Sequence, residues 1–462
     1  MSIKSNLLKL LPVFAQNIVI SVYGYKLIKQ RYGKEYYRYR NELMQINTET
    51  LGHLQDQQNE LLNNFIHFAI NNSKFYNELY KDVDLSEPVS VSSLESLPVV
   101  TKEMLRENLD NVYTIPKNQG ISAFTGGTTG KSLQVVFTDD DFQHRMAYLD
   151  AFKLKLGIDP FIERKATFSG REFTRGWATS FSNTFWRNNW AYKQRLYSTF
   201  DMTETNLQYY VKDLNKYKPQ VINGFVSAIY QLAKFIEQKE LTLTFQTKAI
   251  FTTSETLLPF HRKLIEKIFN CSVYNQYASA EGAPFITQCH AGNLHYNIDT
   301  GVIEVLNTQA GQEMLVTSFT THGTPLIRYK IGDLIQFEDG ECECGSHHPL
   351  VKSIDGRQVE SLTSSQYGDV SLSHLADVIK GLPNCVRNVQ FQQYKLEEIQ
   401  VLLNVDKSLF DQKAEDKIAQ ALTHRFGKKT KFTFKLVSDI PKEKSGKFSL
   451  IKNYLSPSDR QS

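Results

Sequence analysis

Between Lys218 and Gly282 the chain alternates strand-like and helix-like segments, which restricts its fold more than any other feature. "KPQVINGFVSAIYQLAKFIEQK" reads as a strand, a turn at Gly224 and a helix. "FQTKAIFTTSETLLPFHRKLIEKIFNCSVYNQYASAEG" repeats the pattern: a strand to Phe251, a loop, a helix, a strand at Cys271–Asn275 and a further loop. Strands that alternate with helices pair in parallel inside an α/β domain. From Leu294 to Phe337 short alternating strands follow ("GVIEVLN", "EMLVTSFT", "TPLIRYKIGDLIQFEDG"), a β-rich region appended to the α/β body.

A chain of 462 residues outgrows a single core, so at least two domains are expected. "SIDGRQVES" (Ser353–Ser361) is a polar, hinge-like stretch, and the helix and strand patterns beyond it suit an α+β unit of about 100 residues. The expected division is an N-terminal segment 1–47, a large domain 48–357 and a small C-terminal domain 358–462. Upstream, Thr48–Asn72 carries Leu51, Leu54, Leu61, Leu62, Phe65 and Phe68 at helical spacing. Thr101 reads as an N-cap, and a helix with aspartate caps at Asp139–Asp141 runs to Gly157.

Leu7–Ile28 is rich in apolar residues, but Lys9, Pro12, Gln16, Asn17 and Gly24 interrupt it. It is too broken for a membrane span of about 20 apolar residues and lacks a signal-peptide cleavage site. An amphipathic helix docked on the protein's own body is expected. Residues 7–40, with the basic-aromatic "KQRYGKEYYRYR", could instead contact a membrane surface or a partner. A net charge of +4 argues against nucleic acid as a partner. Five scattered cysteines do not make a disulfide framework and suit the reducing cytoplasm.

"ISAFTGGTTGKSLQVVFT" (Ile121–Thr138) looks like a nucleotide-phosphate loop. The G-x-x-x-x-G-K-[ST] pattern fails: Thr125 stands where the first glycine belongs, and a strand-like run follows instead of a helix. What remains is a hairpin whose loop supplies glycine backbone at Gly126, Gly127 and Gly130. It adds the hydroxyls of Thr125, Thr128 and Thr129 and the cation Lys131.

With four further motifs in order, the chain resembles the adenylate-forming superfamily of acyl-CoA synthetases, in its phenylacetate-CoA ligase-like branch with the CapK-type proteins. "FTGGTTGKS" is similar to that family's phosphate loop, "YASAEG" (Tyr277–Gly282) to its aromatic-to-glutamate motif, and "PLIRYKIGD" (Pro325–Asp333) to the strand ending in its ribose aspartate. "DGRQVE" (Asp355–Glu360) resembles its hinge, and "IPKEKSGKF" (Ile440–Phe448) its terminal lysine motif. Gln358 and Val359 depart from the usual acidic hinge, as do Ala278 and Ala280 from the usual tyrosine motif.

The resemblance implies that a small-molecule carboxylic acid attacks the α-phosphate of ATP, giving an acyl-adenylate and pyrophosphate; CoA would then take the acyl group. The small domain would be mobile and deliver Lys447 to the α-phosphate. Glu281 would ligate magnesium beside Thr128, Tyr277 would stack on adenine, Asp333 would accept the ribose hydroxyls, and Arg357 would reach in from the hinge. Ser254 and Glu255 lie on the loop expected to hold the adenosine half. An acyl pocket is expected near Phe225 and Tyr230, with Phe185, Trp186 and Trp190 as aromatic neighbours. The alternatives are transfer to an amine, sugar or carrier in polysaccharide biosynthesis, and a catalytically silent nucleotide-binding scaffold.

Cys289, His295, Cys342 and Cys344 form a candidate structural zinc set, with His290 as an alternative fourth ligand. The competing reading is buried, inert thiols beside solvated histidines.

Overall fold

The computed structural model describes residues 8, 10–45, 50–124, 133–173, 183–308, 311–357, 361–370, 372, 375, 378, 379, 381–383, 385–443, 445–456 and 459. Residues 356, 357 and 369 are described in backbone only.

Among the described residues the N-terminal region carries the helices α1 (Val13–Arg31) and α2 (Lys34–Gln45), where one was expected. Helix α1 hydrogen-bonds to Arg187, Asn188 and Trp190, and its buried residues are Gln16, Asn17, Ile20, Ser21 and Gly24, so a largely polar face points inward. Helix α3 (Leu51–Asn72) starts at Thr50, whose hydroxyl accepts the His53 N–H. It buries Leu54, Leu62, Phe65, Ile66 and Ala69 in the largest core. Thr101 caps α4 (Lys102–Glu107) as its sequence predicts. Helix α5 (Asp139–Lys155) is capped by Thr138 in a reciprocal box with Asp141, so Asp139 is its first residue and not its cap.

Strands β1 (Ile121–Phe124) and β2 (Gln134–Phe137) form the expected hairpin, antiparallel with Ile121 opposite Phe137. Next comes a six-stranded sheet of β3 (Lys165–Ser169), β4 (Trp186–Asn189), β5 (Gln194–Ser198), β6 (Val221–Phe225), β7 (Ala249–Thr253) and β8 (Ser272–Tyr274). Its order is β4-β5-β3-β6-β7-β8, with every pair parallel except β4 with β5. The crossovers are α6 (Glu204–Tyr217), α7 (Val226–Gln238) and α8 (Pro259–Phe269). Val226, Ile229, Ala233 and Ile236 of α7 are buried at the 3–4 spacing that aims one stripe at the sheet. Gly224, expected in a turn, lies inside β6 with φ +150°; a Cβ there would stand 2.4 Å from the Phe168 carbonyl oxygen, too close for the β3–β6 pair.

The β-rich region is a seven-stranded antiparallel sheet: β9 (Gln276–Tyr277), β10 (Ile286–Gln288), β11 (Leu294–Tyr296), β12 (Gly301–Thr308), β13 (Gly311–Ser318), β14 (Tyr329–Glu338) and β15 (Leu350–Arg357). The hinge-like stretch begins inside this sheet, because Ser353–Arg357 pair with β14. Beyond it lie the hairpin β16 (Leu362–Ser364) with β17 (Gly368–Val370) and a four-stranded sheet. Its strands β18 (Val386–Lys395), β19 (Glu398–Val405), β20 (Lys431–Leu436) and β21 (Ile451–Asn453) take the order β20-β19-β18-β21. Helix α9 (Gln412–Phe426) covers that sheet with Ile418, Leu422 and Phe426, one buried residue per turn. This C-terminal core also takes in Leu258 and Phe260 of the large lobe.

Candidate functional site

Tyr277 ends β9, and the turn after it carries Glu281. The Ser279 hydroxyl accepts the N–H groups of Gly282 and Ala283 at 3.1 and 3.0 Å. From α5, the buried Arg145 donates to the carbonyls of Gly282 (2.9 Å) and Ala283 (3.2 Å) and to the Thr320 hydroxyl (2.7 Å). Burial lowers the Arg145 guanidinium to about 10, so it stays charged at neutral pH. Thus clamped, the Glu281 carboxylate is 3% exposed, with Lys102 Nζ at 3.9 Å, the outer limit of an ion pair. Asp333, from β14, accepts the Tyr277 hydroxyl at 2.6 Å, so two residues expected to face the adenosine meet directly.

A second clamp holds the start of α5. His322 Nδ1 lies 2.7 Å from Asp141 Oδ1, and the Gly323 N–H donates to Oδ2 at 3.2 Å. Burial acts to raise the Asp141 carboxyl, but His322 outweighs it and holds the group below its ordinary value. Burial acts to lower His322, and the Asp141 bond and charge raise it overall.

The terminal lysine motif sits across the carboxyl ends of the parallel strands. Gly170 follows β3, Thr199 follows β5, Ser227 lies just past β6 and Glu255 just past β7. The tail touches all four or their direct partners. A Cβ on Gly170 would fall 1.6 Å from the Ser445 carbonyl oxygen, and Gly446 (φ +79°) packs against the Gly170 Cα. The Thr199 hydroxyl donates to the Gly446 carbonyl at 2.9 Å, and Lys442 donates to the Thr199 carbonyl. The Glu255 carboxylate accepts the Ser227 N–H (2.7 Å), the Ser227 hydroxyl (2.9 Å) and the Phe448 N–H (3.2 Å). Burial raises the Glu255 carboxyl; the Ser227 and Phe448 bonds and the Lys447 charge pull it back only in part. Burial also lowers the Lys442 ammonium to about 8, against the pull of Asp439, Glu255 and Asp201. Ser254, beside Glu255, is an exposed non-glycine residue at φ +67°, a strained conformation that recurs at functional loops.

Thr125, Gly126, Gly127, Thr128, Thr129, Gly130 and Lys131 lie outside the described residues, as does the Arg357 side chain. Of the expected acyl-pocket residues, Tyr230 packs against the rings of Phe260 and His261, centroids 5.6 and 4.7 Å away, and Phe225 is half-buried on the same core. Phe185 stacks on Tyr210 inside that core, whereas Trp190 is 54% exposed beside α1.

The Cys/His set is gathered in one place: the ligand atoms of Cys289, His295, Cys342 and Cys344 all lie within 4.8 Å of one another. Cys289 and Cys342 sulfurs are 3.6 Å apart, and Cys344 Sγ is 3.4 Å from His295 Nε2. Zinc–ligand bonds of about 2.0–2.3 Å at tetrahedral angles give ligand separations of about 3.3–3.8 Å, so the donor set fits that metal. His295 Nδ1 contacts the His348 carbonyl at 3.0 Å, which presents Nε2 to the cluster.

Sequence reasoning missed Lys102, Arg145, Gly170, Thr199 and Lys442. Lys102 follows a recognised cap, and Gly170 ends an apolar run in "ATFSGRE", so both carried local signals. Arg145 and Thr199 carried none.

Residues 362–454 match the family model described as the CapK C-terminal domain. Over 439 residues the chain is 36% identical to Protein CapK of Staphylococcus aureus, covering 94% of this chain and 96% of that one. Among solved structures it is similar to 2-hydroxyisobutyryl-CoA ligase in the postadenylation state with 2-HIB-AMP (TM-score 0.71, 17% identity, 88% of this chain and 91% of that chain). The same ligase in the thioesterification state, with 2-HIB-AMP and CoA, gives a TM-score of 0.54 at 16% identity, covering 88% and 91%. The fold is therefore that of the adenylate-forming ligases. Within it, this chain belongs to the CapK family.

Proposed function

We propose that this chain is an ATP-dependent, AMP-forming acid ligase. A substrate carboxylate oxygen attacks the α-phosphorus of ATP, the bond to the bridging oxygen breaks, and pyrophosphate leaves with its electron pair. One observation carries this reading: the Lys442–Phe448 tail is docked over the carboxyl ends of β3, β5, β6 and β7. In open parallel sheets that crevice is where ligands bind. The greater likeness to the postadenylation form of the related fold supports the same domain arrangement.

In this reading Lys447 neutralises charge at the α-phosphate, and the Thr125–Lys131 loop holds the outer phosphates with Thr128 among its hydroxyls. Asp333 accepts the ribose hydroxyls, oriented by the Tyr277 hydroxyl, while the Tyr277 ring stacks on adenine. Arg357 works from the end of β15, and Ser254 borders the adenosine. Glu255, which accepts from Ser227 and Phe448, seats the tail beside the loop that holds the adenosine half. A single clamped carboxylate, Glu281, suits magnesium held mainly by phosphates, and the ion would supply charge neutralisation there. Phe225 and Tyr230 border the acid through the α7 face. The pivot lies between domains 48–357 and 358–462.

Zinc held by Cys289, His295, Cys342 and Cys344 would pin the β10–β11 hairpin to the loop before β15, a structural role. Five free thiols suit a reducing cytoplasm. The acceptor in the second step is CoA; an amine, sugar or carrier is the alternative.

Carboxylate-dependent exchange of labelled pyrophosphate into ATP, run across a panel of acids, tests the first step. Exchange with at least one acid is expected, and thioester on adding CoA identifies the acceptor. ATP binding without exchange for any acid would leave the silent scaffold as the correct reading.

A further inference from the structure

Helix α1 is built inside out. Gln16 accepts from Nε of the fully buried Arg187 at 2.7 Å, Asn17 Oδ1 accepts the Asn188 N–H at 2.9 Å, and the Ser21 hydroxyl accepts the Trp190 N–H at 3.0 Å. These bonds fix the rotation of the helix. Turning its apolar residues inward would leave the buried Nε of Arg187 without its acceptor, while the other guanidinium nitrogens keep the carbonyls of Thr184, Trp186 and Phe173. The consequence is an outward stripe of Leu11, Phe14, Ile18, Val22 and Tyr25, spaced 3, 4, 4 and 3 residues apart, with Phe14 69%, Val22 65% and Tyr25 58% exposed. Eight of the 24 exposed large apolar side chains among the described residues lie between Leu10 and Tyr25.

We infer that this face of α1 is a docking surface for an anionic lipid bilayer. Charge selects that occupant. Lys26 and Lys29 are exposed at the end of the stripe, and Lys34 follows; the first acidic residue of the whole chain is Glu35. Trp190, half-exposed against the same helix, adds a residue type enriched at membrane interfaces. A helix lying in the interfacial plane needs an apolar face and a basic flank, and both are present. Among the described residues no helix is long and apolar enough to cross a membrane.

A second copy of the chain is the weaker occupant. The stripe is about 21 Å long at ~1.5 Å per residue and roughly 10 Å wide, on the order of 200 Å². A stable dimer needs about 800 Å² per partner, and pairing two such faces would bring like charges together. This inference does not depend on the ligase reading.

Flotation of the full chain with phosphatidylcholine vesicles, with and without phosphatidylglycerol, tests it. The chain should float with the anionic vesicles and stay at the bottom with the neutral ones. Phe14→Ser with Val22→Ser, both at exposed positions, should lower the bound fraction at least ~10-fold, from the loss of inserted methylenes. Lys26→Glu with Lys29→Glu should lower it comparably, and melting curves should match the parent. Failure of the parent to float, or flotation of either double variant as complete as that of the parent, would overturn the proposal. So would a parent that is dimeric by light scattering and made monomeric by Phe14→Ser with Val22→Ser.

Discussion

Two parts of the candidate site are held by opposite means. The floor, made of the Tyr277–Asp333 pair and the Glu281 turn, is clamped by side chains from α5, β14 and the loop after β13, all tied into the large core. The seam, where the Lys442–Phe448 tail crosses the strand ends, rests on one side-chain bond, from Lys442 to the Thr199 carbonyl, and otherwise on main-chain contacts. These are a carbonyl taken by Thr199, an N–H given to Glu255 and two glycines in touch. A buried side-chain network cannot part without exposing charge, whereas peptide groups released from a seam are at once satisfied by water. The floor is thus suited to stay, and the seam to open and close, as the proposed two-step reaction requires.

The sharpest way to break that contrast is Gly170→Val. Its side chain would enter the space of the Ser445 carbonyl, so the seam cannot close. Pyrophosphate exchange should fall about 100-fold, as for a misplacement of 1 Å or more, while the melting temperature barely moves. Unchanged exchange would mean that the seam does not contribute. Asp333→Asn attacks the floor instead: KM for ATP should rise about 10- to 100-fold through loss of charged hydrogen bonds, with little effect on domain arrangement measured by small-angle scattering. Cys342→Ser should abolish bound zinc by elemental analysis and lower Tm by about 5 °C, with kinetics less affected. Parent protein without zinc would remove that part of the proposal.

The pH responses are the smallest effects, and their signs differ. His322 is raised above 6.5 when folded, so its contribution to stability is complete below that pH and fades as pH rises through the folded value. The partner Asp141, held below 3.8, contributes above that value and loses its share only in stronger acid. Tm should therefore decline as pH rises from 6.5, less steeply in His322→Gln. Lys442 runs the other way. Its pKa is about 8 in the closed seam against 10.5 in water, so the open form binds more protons between those values and closure strengthens as pH rises. Closure read by scattering from pH 7 to 10, with Lys442→Met as control, checks this.

Much of this was legible in the sequence because it is local. Thr101 announces its helix, the Ile121–Phe137 hairpin shows in its alternation, and closely spaced cysteines mark the Cys/His cluster. Tyr277 and Asp333 were each reached through motif order, but the bond between them, 56 positions apart, was not. What escaped was decided by distant partners. Helix α1 turns a polar face inward because Arg187, far along the chain, requires acceptors. Trp190 is exposed because α1 takes up its backbone neighbours. Gly170 has no side chain to advertise a contact made by its absence.

The most direct measurement separates the two half-reactions in Lys447→Ala, using an acid that the exchange panel identifies. Exchange of pyrophosphate should fall about 1,000-fold or more, while transfer from chemically supplied acyl-adenylate to the acceptor continues at near the parental rate. Equal loss of both steps, or exchange at the parental rate, would contradict a tail cation that serves the first step and then withdraws.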